Sequence, residues 1–91
     1  MKVKVIGSNY YQSEFNGKIV DHYTIYYVRK PYESVFSEQD VKGMISGVVR
    51  GGKIFEGVTL NKCYDFVEAQ TGSKDGKPVY SVVEVNEIAN I

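Results

Sequence analysis

The chain has 91 residues, with 11 basic residues balancing 11 acidic ones, and it contains one His, one Cys and no Trp. This length predicts a single domain over residues 1–91 with one core. With only one His and one Cys, the composition gives little support to a zinc site, a catalytic Cys–His pair or a cofactor. We therefore expect a non-enzymatic protein. A lone Cys excludes an intramolecular disulfide, and no signal peptide or membrane span is visible, so we also expect a cytoplasmic protein without a membrane partner.

The first thirty residues predict a long antiparallel β-hairpin. Asn16-Gly17 favours a type I′ turn between two segments rich in Val, Ile, Tyr and Thr, at residues 2–15 and 18–30. A two-residue turn pairs Tyr11 with His22 and Tyr10 with Tyr23. Gly7 inside the first strand predicts a bulge or bend.

On this register the second strand has two distinct faces. We expect one face to be the core face, carrying Ile19, Tyr23, Ile25 and Tyr27. The opposite face carries Lys18, Val20, His22, Thr24, Tyr26 and Val28.

The segment after Pro31, which ends the second strand, can be interpreted in two ways. Ser37 with Asp40 resembles a helix capping box, and apolar residues follow at helical spacing, which favours a short helix within residues 37–50. Gly43 and Gly47 disfavour a helix interior, so we expect a third strand at residues 41–50.

Two more strands are expected at residues 60–70 and 78–88, around the polar connection TGSKDGK with its Asp75-Gly76 turn signal. Five strands in 91 residues, the first bent at a glycine, predict an all-β fold: a small five-stranded barrel, closed or partly open, of the OB-fold type. An SH3-like barrel and an α+β roll are the alternatives.

Tyrosine is the main compositional indication of function. Eight Tyr are present, six of them among the first 32 residues. Residues 1–53 hold eight basic residues against five acidic ones, and residues 54–91 hold three against six. The tyrosines are therefore concentrated in the basic half, and aromatic rings that stack on bases beside cations that contact phosphates are typical of single-strand binding.

The candidate nucleic-acid-binding residues belong to the hairpin and to two glycine-containing turns. Tyr11 and Tyr26 are the expected stacking rings. The RGGK turn could act as a mobile arm on the phosphate backbone, with Phe55 two residues further on as an additional stacking ring. The full set is Tyr11, Lys18, His22, Tyr26, Arg50, Lys53, Phe55, Lys74 and Lys77. Each feature also has an alternative without a binding function. Residues 50–53 would then form a plain surface turn, the tyrosines would pack in the core or at its rim, and Lys74 and Lys77 would lie in a solvated loop.

The opening MKVKVIGSNYY, the Tyr-rich hairpin, the short third strand and the LNKCYDF and VVEVNEI strands together resemble a known family. In strand order, size and aromatic content, the chain is similar to the small gene V-type single-stranded DNA-binding proteins of filamentous phages, and to related proteins of phages and mobile elements. The resemblance implies an OB-like fold, a homodimer, and coating of single-stranded DNA with little sequence preference during replication.

Two functional hypotheses follow, and a small enzyme in which His22, Cys63 and an acidic side chain converge on one cleft is the remaining alternative. The first is a single-stranded DNA-binding protein, with RNA as an open alternative ligand. The second is a protein-interaction or structural module of a phage or mobile element that uses the same Tyr-rich face, since tyrosine is also enriched at protein interfaces. A ring of Glu56, Glu68 and Glu84 around the exposed tyrosines would favour the second hypothesis.

Overall fold

The computed structural model describes all 91 residues as one antiparallel sheet with strand order β3-β2-β1-β4-β5. Its strands are β1 (Lys2–Phe15), β2 (Lys18–Arg29), β3 (Ile45–Gly51), β4 (Cys63–Lys74) and β5 (Lys77–Ile88). Two single turns of 3-10 helix lie at Phe36–Glu38 and Lys53–Phe55, and neither is long enough to cross a bilayer. The expected all-β class is confirmed.

Two long hairpins dominate the sheet, and each closes with a two-residue turn. Asn16 and Gly17 have φ of 51° and 75°, and Asp75 and Gly76 have φ of 53° and 76°. These positive values at both central positions match a type I′ turn, which needs residues that tolerate the left-handed region. The first hairpin confirms the predicted register, including Tyr11 opposite His22 and Tyr10 opposite Tyr23.

The second hairpin is longer than the sequence predicted. β4 runs from Cys63 to Lys74, whereas we expected a strand at residues 60–70 and a seven-residue polar connection. The residues TGSK belong to the strand, because the Asp75-Gly76 turn alone suffices to reverse the chain. The last residues of β4 are polar and exposed, so the sequence pattern placed the end of this strand too early.

The hairpins join through a short ladder between β1 and β4, in which Lys2, Val3 and Lys4 face Asp65, Tyr64 and Cys63. β4 is antiparallel to β1, so the two hairpins leave this ladder in opposite directions. Their turns therefore lie at opposite ends of the sheet.

The sheet does not close, so the closed form of the expected barrel is wrong. β3 and β5 are its two edges and do not pair with each other. β3 has only seven residues, all paired with β2, and the Lys53–Phe55 turn contacts both β2 and β5. Phe55 fills the core next to Phe66, with ring centroids 5.4 Å apart, so a packed side chain occupies this region in place of a closing ladder.

The core is small and lies on one face of the sheet. Ile25 is buried as expected, and Tyr23 and Tyr27 pack against the core while partly exposed. Ile19 is 68% exposed, which corrects its assignment to the core. It lies near the hairpin turn, beyond Tyr23, where the pairing of β2 with β3 ends. The buried residues are Val3, Val5, Ile25, Phe55, Tyr64, Phe66 and Val82.

The connection from β2 to β3 is mostly irregular. The third strand exists, but it begins at Ile45, so residues 41–44 are not part of it. Ser37 lies inside the Phe36–Glu38 turn and caps nothing, which corrects the capping-box interpretation. Instead, Glu38 accepts two hydrogen bonds from the Arg29 guanidinium, at 2.8 and 2.9 Å, and one from the Tyr32 backbone N–H at 2.9 Å. The connection is thus fastened to the end of β2.

Candidate nucleic-acid interface

The face of the sheet opposite the core carries most of the candidate residues. Cross-strand partners of an antiparallel pair point to the same face, so the register assigns each side chain to one side. Tyr11 faces His22, Thr24 faces Arg50 and Tyr26 faces Val48, all opposite to buried Ile25. We call this surface the open face, and its residues on β1, β2 and β3 include Lys2, Lys4, Tyr11, Lys18, His22, Thr24, Tyr26, Val48 and Arg50.

A groove of about 440 Å³ lies on the open face near the first hairpin. The Tyr11 and His22 rings stack at its side, with centroids 4.5 Å apart and planes inclined by 10°. The Ser13 hydroxyl and His22 Nε2 are 2.7 Å apart, a hydrogen bond that fixes the orientation of the imidazole. We call this site the Tyr11 groove, and its lining includes Tyr11, Val20, His22, Thr24, Arg50, Gly51 and Gly52.

Arg50 gives the Tyr11 groove its positive charge. The residue is exposed near the end of β3, and its guanidinium forms no ion pair. Gly51 follows because the chain passes close to the core there: a Cβ on Gly51 would lie 2.6 Å from Cε2 of buried Phe55. The local sequence thus anchors the backbone on one side and leaves the arginine free on the other.

Tyr26 extends the aromatic surface toward the middle of the open face. It is 45% exposed and lies opposite Gly7 at the bulge of β1. A Cβ on Gly7 would meet Tyr26 Cδ2 at 3.4 Å, so the glycine leaves room for the ring across the neighbouring strand. Tyr11 is 54% exposed, which leaves both predicted stacking rings accessible.

The bulge at Gly7, which the sequence predicted, also decides where two lysines point. Val5 faces Tyr27 and Gly7 faces Tyr26, so Ile6 is the extra residue of β1. One extra residue reverses the alternation of side chains along the strand. Lys2 and Lys4 therefore share the open face with Tyr11, while Val3 and Val5 enter the core.

Glu56 and Glu68 affect tyrosines of the core face, not of the open face. Burial, and next the charge of Glu56, raises the pKa of Tyr23. Burial raises the pKa of Tyr27 against the opposing charge of Arg29, and Glu68 adds to the rise. Glu84 lies on the open face, opposite Val67 in the second hairpin. The part of the open face built from β1, β2 and β3 thus carries lysines and an arginine and no acidic strand residue.

Asp21 borders the Tyr11 groove, but its carboxylate is held by groups of the core face. It accepts hydrogen bonds from Tyr10 Oη at 2.5 Å and from Gln12 Nε2 at 3.0 Å. The bond from Tyr10, and next that from Gln12, lowers the pKa of Asp21, and the same contact with Asp21 raises the pKa of Tyr10. Lys53 Nζ lies 3.8 Å from the other carboxylate oxygen.

The RGGK turn does not place its two cations side by side as one basic arm. Arg50 points to the open face, whereas Lys53 lies beside Asp21, with its side chain 75% exposed. Phe55 is 1% exposed, so its assignment as a stacking ring is wrong. Its ring is a central part of the core, where it replaces the ladder that would close a barrel.

The remaining candidates are spread over the molecule. Lys18 lies at the first hairpin turn, where its exposed side chain belongs to the open face. Lys74 and Lys77 face each other at the second turn, at the opposite end of the sheet. Cys63 pairs with Lys4 and His22 with Tyr11, seven positions apart along β1, so the two are not brought together.

Four residues of this surface, Lys2, Lys4, Ser13 and Thr24, were not among the candidate binding residues, although the predicted register already placed Thr24 on this face. The signal for the two lysines was present, because a bulge at Gly7 reverses the side-chain alternation that precedes it. Comparisons with protein-family models, curated proteins and solved structures gave no match, so the geometry above is the basis for a functional assignment.

Proposed function

We propose that the protein is a non-enzymatic single-stranded DNA-binding protein whose open face carries the nucleic acid. The observation that carries this proposal is the joint exposure of Tyr11 and Tyr26 on a face whose charged residues on β1, β2 and β3 are all basic. Bases stack on such rings with little sequence preference, while lysines and arginines contact the phosphates.

The neutral net charge is compatible with this proposal because the charges are segregated. Phosphate contacts need local cations, not a basic total. Lys2, Lys4, Lys18 and Arg50 belong to the open face, and none of them forms an ion pair. Six acidic residues lie after residue 53, in the half of the chain that contains the second hairpin.

The charge distribution favours this function over a protein-interaction module on the same face. That alternative calls for Glu56, Glu68 and Glu84 around the exposed tyrosines. Glu56 and Glu68 act instead on Tyr23 and Tyr27, which pack against the core. Of these three glutamates only Glu84 remains on the open face, and it belongs to β5, which does not border the first hairpin. Asp65 of β4 also lies on this face, opposite Lys2, and accepts a hydrogen bond from the Met1 ammonium group.

An OB-type fold and a homodimer are part of the proposal. The strand order β3-β2-β1-β4-β5 supports the first, since a five-stranded OB-type barrel opened between β3 and β5 would have this order. The small core supports the second: seven residues are buried, whereas Phe15, Ile19 and Tyr80 are 70%, 68% and 60% exposed on the two hairpins. A two-stranded hairpin is marginally stable without a further packing surface. In this proposal the protein is cytoplasmic and protects single strands during replication of a phage or mobile genome.

A titration of a labelled ten-nucleotide polythymidine strand at several salt concentrations tests the function. We expect binding that quenches tyrosine fluorescence and a linear fall of log K with log salt, by about 0.7 per phosphate contact. Duplex DNA of the same length serves as the comparison ligand and should bind more weakly, because paired bases cannot stack on the rings. Absence of binding at low salt would refute the proposal.

A further inference from the structure

A second groove, of about 430 Å³, opens at the other end of the first hairpin from the Tyr11 groove. Its polar lining includes Lys2 at the start of β1 and Lys30 just after β2, both exposed and without an ion pair. Tyr32 provides an aromatic wall and is 41% exposed. We call this site the Lys2 groove.

Tyr32 is held in position from one side. The Arg29 guanidinium lies 4.3 Å from the centroid of the Tyr32 ring, and Glu38 fixes that guanidinium by two hydrogen bonds. Glu38 also accepts the hydrogen bond from the Tyr32 backbone N–H. Arg29 covers one side of the ring, yet the residue is partly exposed and lines the groove, so the ring needs little further ordering to receive a ligand.

One acidic side chain, Asp65, also lines the Lys2 groove. Its Oδ1 accepts a hydrogen bond from the Met1 ammonium group at 3.1 Å, and that group also donates to the Phe66 carbonyl at 2.8 Å. Asp65 is thus already paired, whereas Lys2 and Lys30 remain available. Among the charged side chains that line this groove, those without an ion pair are therefore positive.

The two grooves are connected along the open face. Lys2 lies nine positions before Tyr11 on β1, which corresponds to a path of about 30 Å at a strand rise of about 3.3 Å per residue. Lys4 and Tyr26 lie between the two ends on the same face. A stacked strand advances by about 3.4 Å per nucleotide, so this path corresponds to about nine nucleotides, or fewer if the strand is stretched.

We propose that the Lys2 groove is a second subsite for the same single strand, in which Lys2 and Lys30 contact backbone phosphates and Tyr32 receives a base. This inference rests on the proposed function and adds a path and a length to it. A short oligonucleotide fills one groove, whereas a strand of about ten nucleotides reaches both.

The test compares polythymidine probes of four and ten nucleotides on the full chain, using fluorescence anisotropy at two salt concentrations. For the double variant K2A/K30A we expect at most about a twofold loss of affinity for the four-nucleotide probe, because the Tyr11 groove, with Arg50, can still bind it. Binding of the ten-nucleotide probe should weaken about tenfold, and its salt slope should fall by about 1.4, the value for two lost phosphate contacts.

The double variant K42A/K62A is the control for charge, because it removes two lysines outside both grooves, together with the ion pair between Lys62 and Glu87. It should leave the length dependence intact, and thermal unfolding checks that both double variants are folded. Equal binding of the ten-nucleotide probe by wild type and K2A/K30A would overturn the subsite while leaving the proposed function standing. An equal loss for both probe lengths would also overturn it. If wild type bound neither probe, the proposed function itself would fail, and the subsite with it.

Discussion

Lys4 and Tyr11 project from the same face of β1, although they lie seven positions apart and simple alternation would put them on opposite faces. The extra residue Ile6 produces this arrangement, because the bulge between Val5 and Gly7 reverses the alternation. The same bulge turns Val3 and Val5 into the core. One local irregularity thus builds the core and adds cations to the aromatic face.

Replacing Tyr11 tests base stacking in the Tyr11 groove. We expect Y11A to weaken single-strand binding by about 1 to 3 kcal/mol, or roughly 5- to 150-fold, since the ring surface is lost. Y11F retains the ring and should bind nearly as wild type. Y80A is the control, because Tyr80 is the 60% exposed tyrosine of the second hairpin. Similar losses in Y11A and Y80A would mean that stacking at Tyr11 is not specific to this face.

Arg50 should contribute to the salt dependence of binding. In R50Q we expect the slope of log K against log salt to become shallower by about 0.7, because one phosphate contact is lost. R50K keeps the charge and should retain the slope. Anisotropy titrations at four salt concentrations measure both variants, and a slope in R50Q equal to that of wild type would contradict a phosphate contact by Arg50.

The Arg29–Glu38 ion pair should make stability depend on acidic pH. The hydrogen bonds from Arg29, and then that from the Tyr32 N–H, lower the pKa of Glu38 from 4.5 to about 2. A pKa lowered by folding stabilises the protein above the unfolded-state pKa, and this stabilisation is lost as pH falls toward the folded-state value.

We therefore expect wild type to have a higher Tm than E38Q from pH 7 down to about 5, and the difference to shrink between about pH 4.5 and 2. E33Q, in the same connection, is the control, because Glu33 forms no ion pair. A difference between wild type and E38Q that stayed constant down to pH 2 would contradict this account of the pair.

Gly51 tests the packing that replaces a closing ladder. In G51A the new Cβ would lie 2.6 Å from Phe55 Cε2, and Phe55 cannot move aside easily because it is 1% exposed in the core. We expect a loss of about 1 to 3 kcal/mol in the free energy of unfolding, which is typical of overpacking. G72A is the control, since no atom lies within 4 Å of its added Cβ. Urea unfolding measures both, and equal stability of G51A and G72A would contradict the packing argument.

The first hairpin could be predicted well from the sequence, because Asn16-Gly17 defines both the turn and the register. The bulge at Gly7 and the burial of Ile25 were predicted from the same register. The exposure of Ile19 could not be, since it depends on where β3 stops covering β2. The exposure of a residue at the end of a strand is decided by long-range packing, and the alternation of side chains within one strand carries no information about that packing.

The site was predictable only in part for the same reason. Tyr11, His22, Tyr26 and Arg50 lie on one face because strand pairing places them there. Phe55 looked like a ring on a flexible arm, but its burial follows from tertiary contacts with Phe66. Lys2 and Lys4 could be placed on this face only by taking into account that the bulge at Gly7 reverses the side-chain alternation of β1.

The central claim is that the open face binds single-stranded nucleic acid, and residue-resolved NMR tests it most directly. Titration of the ¹⁵N-labelled protein with the ten-nucleotide polythymidine strand should shift the amide signals of Tyr11, His22, Tyr26 and Arg50. Shifts confined to the second hairpin around Tyr80, or no shifts at all at low salt, would contradict the account.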